Sequence, residues 1–247
     1  MDYFKTRATI RNYKPDVISD AEIDEMLAEA AHAPTCGGMQ LYNVIVTRSD
    51  EGKSALAPAH FNQPCLTGAS AVLTFCADFN RVSRWARERG ADPGFDNMQS
   101  FISAMLDATI VAQQFVTIAE MRGYGTCYLG TTTWNAPMIV NALNLPELVI
   151  PVITVTLGVP AEHPAGLQPR LPLDAIRSRE RYTPVNIDAA YAELEARPDS
   201  RRFMEENGKA SLAAVFTDVR YPRASNVQFS ELFLSILAEQ GFLKKNK

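Results

Sequence analysis

Met98-Gln99-Ser100-Phe101-Ile102-Ser103-Ala104-Met105-Leu106-Asp107-Ala108-Thr109-Ile110-Val111-Ala112-Gln113-Gln114-Phe115-Val116-Thr117-Ile118-Ala119-Glu120-Met121-Arg122 runs without a glycine or proline and is the longest helical candidate in the chain. Phe101, Ile102, Met105, Leu106, Ile110, Val111, Phe115, Ile118, Ala119 and Met121 wrap most of its circumference. A helix that is apolar nearly all round is buried, so this one sits centrally or in an oligomer interface. Gly123 and Gly125 stop it.

On its N-terminal side, residues 82–97 are polar, with Arg84, Arg87, Glu88, Arg89, Gly90, Pro93 and Gly94. They read as an excursion or mobile flap. Val44-Ile45-Val46 and Ala69–Ala77 read as strands; neither alternates cleanly, which suits strands covered on both faces of a layered α/β protein. Ser19-Asp20-Ala21-Glu22 has the capping-box pattern, and Ile23, Met26, Leu27 and Ala30 follow at helical spacing. Pro34 and Gly37-Gly38 end that helix. On the C-terminal side, Cys127–Gly130 is a short apolar piece, Ala136–Leu143 a short helix and Val149–Leu157 a strand. Five prolines in residues 159–184 predict extended loop. Residues 185–247 contain no convincing strand; Val227, Phe229, Leu232, Phe233, Ile236 and Leu237 mark a helix closed by Gly241. The division expected is a core over 1–184 and a C-terminal extension over 185–247 that packs on the core or on a partner subunit.

The chain has 247 residues with a net charge of −4. That balance argues against a nucleic-acid or membrane-surface partner. The run Leu148–Leu157 is too short for the ~20 residues of a membrane helix and contains Pro151, and the N-terminus lacks a signal-peptide core. Cys36, Cys65, Cys76 and Cys127 lie far apart, without metal-site or CxxC spacing. A reduced, cytoplasmic protein is the expectation.

There is no phosphate-binding Walker loop, dinucleotide fingerprint, His-Glu-x-x-His or serine-hydrolase elbow, and His32, His60 and His163 are isolated. No side chain stands out as catalytic and no metal set is present, so any chemistry comes from a cofactor. Arg7-Ala8-Thr9-Ile10-Arg11 offers two guanidinium groups around a hydroxyl, donors that suit a phosphate. In an extended segment Arg7, Thr9 and Arg11 share one side. Taken alone, the stretch reads more readily as a solvated basic terminus than as a phosphate site.

Further stretches fall in order behind it. They are Glu29-Ala30-Ala31-His32-Ala33-Pro34-Thr35-Cys36-Gly37-Gly38-Met39-Gln40, Gln63, Phe75-Cys76-Ala77-Asp78-Phe79-Asn80-Arg81, and Asp107 with Gln113 in the long helix. Gly123-Tyr124-Gly125-Thr126-Cys127-Tyr128-Leu129-Gly130, Leu157-Gly158-Val159-Pro160 and Gln168-Pro169-Arg170-Leu171-Pro172 follow. Together they resemble the nitroreductase family of flavoproteins over residues 3 to about 184. Glu239-Gln240-Gly241-Phe242 resembles the end of that family's larger, oxygen-insensitive NADPH-dependent branch.

The resemblance implies an α+β fold, a three-layer α-β-α sandwich in an intertwined homodimer, with FMN bound at the interface. It implies that Arg7, Thr9 and Arg11 contact the FMN phosphate and ribityl chain and that Arg170 joins them. Thr35 and Gln63 fall at the ribityl and isoalloxazine edges. Tyr128, Leu129, Gly130 and Thr131 fall beside the ring. Three positions depart from the pattern: Ala8 stands for a second arginine, Gln168 for a lysine, and Thr131 for a glycine. Thr131 is expected to face the acceptor and narrow its slot, the alternative being a side chain turned into the protein with only its backbone at the flavin. The implied activity is ping-pong: NADPH or NADH reduces FMN, then a flat aromatic acceptor such as a nitroaromatic or quinone takes the electron pair. A flavin reductase, a reductase of one metabolite, and a non-enzymatic flavin-binding protein are the competing readings. By charge alone, Arg201 and Arg202, or Arg84, Arg87 and Arg89, suit a 2′-phosphate.

Overall fold

The computed structural model describes residues 3–164 and 169–244. The chain forms two compact units, Met1–Pro164 with Phe229–Lys247, and Ala165–Gln228.

The first unit starts with the single turn α1 (Tyr3–Thr6) and the helix α2 (Asp20–Ala30). Ser19 caps α2 as its sequence predicts: the hydroxyl accepts from Glu22 N, and the Glu22 carboxylate accepts from Ser19 N at 2.9 Å. β1 (Tyr42–Thr47), α3 (Asp50–Leu56), the 3-10 turn Ala57–His60, α4 (Pro64–Thr67), β2 (Ala71–Asp78), α5 (Asn80–Glu88), α6 (Met98–Met121), β3 (Gly125–Leu129), α7 (Ala136–Ala142) and β4 (Val149–Gly158) follow. The four strands form one antiparallel sheet in the order β1-β2-β4-β3. Pro151 is tolerated inside a central strand because the β2–β4 register shifts at Phe75/Cys76, next to it.

The sheet has helices on both faces, which gives the α+β architecture three layers. Leu73, Phe75, Val155 and Leu157 share one core with Phe115, Val111, Ala108 and Ala104 of α6 and with Ile23 and Met26 of α2. Val72, Cys127 and Leu129 share a second core with Leu56, Cys65, Leu66 and Ile139. β2 is buried along its whole length, but edge strand β1 is only half-buried, so coverage on both faces holds for the former alone.

One expectation needs correction here. Residues 80–88 are a helix, not part of a flap: Val82 joins the core and Ser83 is buried, while the arginines face outward and hide the pattern. Within one chain α6 is buried on one side only; Ile102, Leu106 and Ile110 are 36%, 52% and 40% exposed. This helix also has the length and composition of a membrane span, yet its inner face, Asp107 included, packs into the core of the unit.

The second unit contains α8 (Leu173–Ile176), α9 (Ile187–Ala196), α10 (Pro198–Glu206), α11 (Leu212–Val215) and a π turn over Phe216–Arg220. Leu173–Ile176 interrupts the expected extended loop with one helical turn. Asn186 caps α9, its side chain accepting from Ala189 N at 3.1 Å. α12 (Arg223–Glu239) closes the fold; its Ile236 and Leu237, and Phe242 beyond Gly241, lie in the first unit's core. Gly241 takes φ +88°, which favours glycine at this helix stop.

Candidate functional site

The N-terminal segment lies along β3 and β4. Ile10 N donates to Thr126 O at 3.0 Å and Lys14 N to Val159 O at 2.9 Å. A Cβ on Gly125 would lie 2.7 Å from Ile10, and one on Gly158 2.6 Å from the Tyr13 ring. Both glycines are required by close approach. Tyr13 donates to Ile10 O at 2.8 Å, and its hydroxyl is 2.6 Å from Thr156 Oγ1. Burial pushes the Tyr13 phenol up, so it stays neutral.

With Ile10 buried inward, Thr9 and Arg11 sit at its flanks, and Arg11 is exposed. Arg7 is partly committed elsewhere. Its Nε donates to Glu120 Oε2 at 3.0 Å, and Nη1 reaches Thr9 Oγ1 at 3.5 Å. Glu120 also accepts from Tyr3 at 2.7 Å and from Thr126 Oγ1 at 2.5 Å. Burial and then the bond to Glu120 push the Tyr3 phenol up to about 12. This carboxylate clamp at the end of α6 leaves no local sequence pattern, because Tyr3 and Arg7 lie 117 and 113 residues from Glu120.

The pairing of Ile10 with Thr126 sets the segment along β3, and Arg7 and Thr126 share the Glu120 carboxylate. The Cys127 thiol donates to Tyr128 O at 3.5 Å. Tyr128 is raised by burial, with Arg7 opposing; its hydroxyl donates to Gln113 Oε1 at 3.2 Å. Ala8 is half-buried beside Arg7.

Gln63 is half-buried at the start of α4, and its side chain does not cap that turn. Leu129 is buried, its carbonyl accepting from Thr132 Oγ1 at 2.8 Å. Gly130 is exposed, and a Cβ there would meet open space within 4 Å. Thr35 donates its one proton to Asp107 Oδ2 at 2.5 Å and accepts from Gln40 N at 2.8 Å. Asp107 also accepts from Cys36 N at 2.9 Å and Leu41 N at 3.0 Å, so α6 fixes the whole 35–41 turn. Toward a ribityl hydroxyl, Thr35 Oγ1 can therefore only accept.

Thr131 corrects the expectation that its side chain faces the acceptor. It is 9% exposed, and its hydroxyl lies 2.8 Å from Nδ1 of His60, itself fully buried. Burial lowers His60 to about 4, so the imidazole is neutral at ordinary pH. Its Nε2 has no hydrogen-bond partner among the described residues. Arg170 belongs to the second unit, where Nη1 donates to Pro169 O at 3.2 Å. Gln168 lies outside the described residues. No group of three or more metal-ligating side chains occurs among the described residues.

Comparison with known proteins gives a consistent result. A model of the nitroreductase family matches residues 4–159. The structure of an oxidoreductase candidate from Bacteroides fragilis NCTC 9343 superimposes with a TM-score of 0.97 at 48% identity, over 99% of this chain and 100% of that one. The chromium(VI) reductase of Pseudomonas sp. (strain G-1) is 28% identical over 98% of both chains. The NADPH-dependent FMN reductase of Bacillus subtilis (strain 168) is 30% identical over 73% of this chain and 72% of that one.

Proposed function

The chain belongs to the nitroreductase family, and we propose that it passes electron pairs from NAD(P)H through FMN to nitroaromatics, quinones or similar flat acceptors. At the coarser level it is an NAD(P)H-dependent oxidoreductase with FMN as cofactor. The observation that carries the finer reading is the pairing of Ile10 N with Thr126 O, which sets the Arg7–Arg11 segment along β3, the strand that leads into a glycine with open space over it.

The donor set suits FMN. Arg11, the part of Arg7 not held by Glu120, and Thr9 offer forked cationic donors and a hydroxyl for the phosphate. Gln63 can hydrogen-bond the edge of the ring system, and Gly130 leaves room for a flat ring against the backbone. Thr35 accepts from the ribityl chain, and Tyr128 and Leu129 bound the ring side. Bound FMN supplies the hydride chemistry. The protein's part is to seat the phosphate, hold the 35–41 and 129–135 turns in place through Asp107 and His60, and present the ring edge to donor and acceptor in turn.

The folded unit is proposed to be a homodimer. Ile102, Leu106 and Ile110 repeat at four-residue spacing and leave an exposed apolar stripe on α6 that a second copy would cover. Four free thiols fit a reducing, cytoplasmic setting. The second reading is a flavin reductase, in which free FMN is also the acceptor; the name of the Bacillus relative favours it.

The test is direct. The purified chain is expected to be yellow, with about one FMN per subunit, and to oxidise NADPH or NADH faster when a nitroaromatic or quinone is added. Acceleration by free FMN alone selects the flavin-reductase reading. A colourless protein that binds no FMN and oxidises neither nucleotide overturns both.

A further inference from the structure

The Arg7–Glu120 pair is built unlike the other arginine–carboxylate bridges of the chain. In the surface pair Arg197–Asp199 the carboxylate takes two guanidinium nitrogens at once, Nε at 2.8 Å and Nη2 at 2.9 Å. That fork-to-fork geometry is the strong form of the interaction. Glu120 takes only Nε of Arg7, at 3.0 Å and through Oε2 alone. Its other oxygen, Oε1, is turned to Thr126 Oγ1, and Tyr3 donates to Oε2 at 2.7 Å. Two hydroxyls thus fix a carboxylate whose side chain is 7% exposed.

Thr126 registers the segment twice. Its hydroxyl holds Glu120, and its carbonyl accepts from Ile10 N at 3.0 Å. The backbone of the segment and the side chain of Arg7 are therefore set against one residue of β3. With Nε engaged, the Nη1–Nη2 edge of Arg7 is left for another anion, and Nη1 comes 3.5 Å from Thr9 Oγ1. A free arginine side chain samples many rotamers and loses them on binding, so holding it in advance favours the bound state.

We propose that Glu120 is a positioning residue for the cofactor: it holds Arg7 by Nε so that the Nη edge and the Thr9 hydroxyl together meet the FMN phosphate. The proposal rests on the FMN reading above and adds to it a residue that acts through Arg7. The charge of Glu120 works the other way, since a carboxylate beside Arg7 offsets part of that cation's pull on a phosphate. Aim and charge separate at this one position. Glu120→Gln still offers an oxygen to Arg7 and Tyr3 and an amide to Thr126, without the charge. Glu120→Asp keeps the charge and withdraws it by one methylene.

The experiment uses the full-length chain, freed of flavin and titrated with FMN and with riboflavin, which has the same ring and ribityl chain but no phosphate. Wild type, Glu120→Gln, Glu120→Asp, Arg7→Ala and the Arg7→Ala, Glu120→Asp double variant are compared. Glu120→Gln should bind FMN at least as tightly as wild type. Glu120→Asp should bind it about ten-fold more weakly, the scale of one charge-assisted contact. Riboflavin affinity should stay near wild type in both, because the effect passes through the phosphate. In the Arg7→Ala background the Asp substitution should cost nothing further. Equal losses for FMN and riboflavin make Glu120 a structural anchor and overturn the proposal. So does wild-type FMN affinity in Glu120→Asp, a loss in Glu120→Gln, or an undiminished loss in the double variant. Should Glu120→Asp not fold, Tyr3→Phe loosens the same carboxylate, and an unshifted ratio of FMN to riboflavin affinity then overturns the proposal. A wild type that binds neither flavin defeats the FMN reading first; a wild type that binds FMN beside indifferent variants defeats the positioning role alone.

Discussion

The imidazole Nδ1 of His60 and the hydroxyl of Thr131 are 2.8 Å apart inside the protein, and through them the loop before α4 holds the turn after β3. Removing the hydroxyl while keeping the shape isolates this bond. Thr131→Val leaves a buried imidazole without a partner on either nitrogen, which costs roughly 1–3 kcal/mol. Chemical denaturation should record that loss, while Thr131→Ser should retain most of the wild-type stability. Unchanged stability in Thr131→Val would show that the pair contributes nothing.

The same histidine gives a dependence on acid. Its pKa is lowered to about 4 in the fold by burial, from 6.5 in the open chain. Below pH 6.5 the unfolded chain takes up the proton and the fold resists it, so stability falls as the pH drops from 6.5 toward 4. The full contribution is present above 6.5, and roughly 3 kcal/mol is at stake across the window. Denaturation midpoints taken from pH 7.5 to 4.5 should slope less steeply in His60→Gln than in wild type. Parallel slopes would exclude His60 as the source.

Arg11 and Arg7 should separate on substitution. Arg11 is exposed, so Arg11→Ala should remove one charge-assisted contact to the cofactor phosphate, worth roughly 1.5–3 kcal/mol, and weaken FMN binding about ten-fold or more at little cost to the apoprotein. Arg7→Ala should also strip a cation from the buried Glu120 and lower the melting temperature. Flavin titration beside thermal unfolding distinguishes the two. Wild-type FMN affinity in Arg11→Ala would remove that residue from the phosphate site.

A charge on the exposed stripe of α6 tests assembly. Leu106 is 52% exposed in a single chain, so Leu106→Glu should leave the protomer's own core intact while disrupting a two-copy interface centred there. Light scattering coupled to gel filtration should give a monomer with reduced flavin content. A stable dimer that keeps its FMN would place the interface elsewhere.

Much of this arrangement is legible in the residues. The Ser19–Glu22 capping box, the long helix with its apolar face, and the ordered glycine, proline and arginine motifs are local patterns, and local patterns leave local signatures. What escapes is made by residues far apart. Glu120 joins Tyr3, Arg7 and Thr126 across the unit, and Asp107 supports a turn some seventy residues earlier. No spacing rule marks such pairings. The inward turn of Thr131 depends on where His60 lies, and an isolated histidine gives no hint of that. Helix Asn80–Glu88 escapes for another reason: its arginines dominate the composition while only Val82 and Ser83 meet the interior.

The seating of Ile10 against Gly125 and of Tyr13 against Gly158 sets an order of events during synthesis. The segment around Ile10 and Tyr13 finds its place only after β3 and β4 have been made, because those last strands provide its backbone partners. Such long-range closure is slow compared with helix formation. A nascent chain can therefore build α2 and the Asp107-supported turn well before it can hold a phosphate through this segment. On the proposed reading cofactor capture comes late, and FMN held through Arg7 and Arg11 reports that this segment has joined the final strand of the sheet.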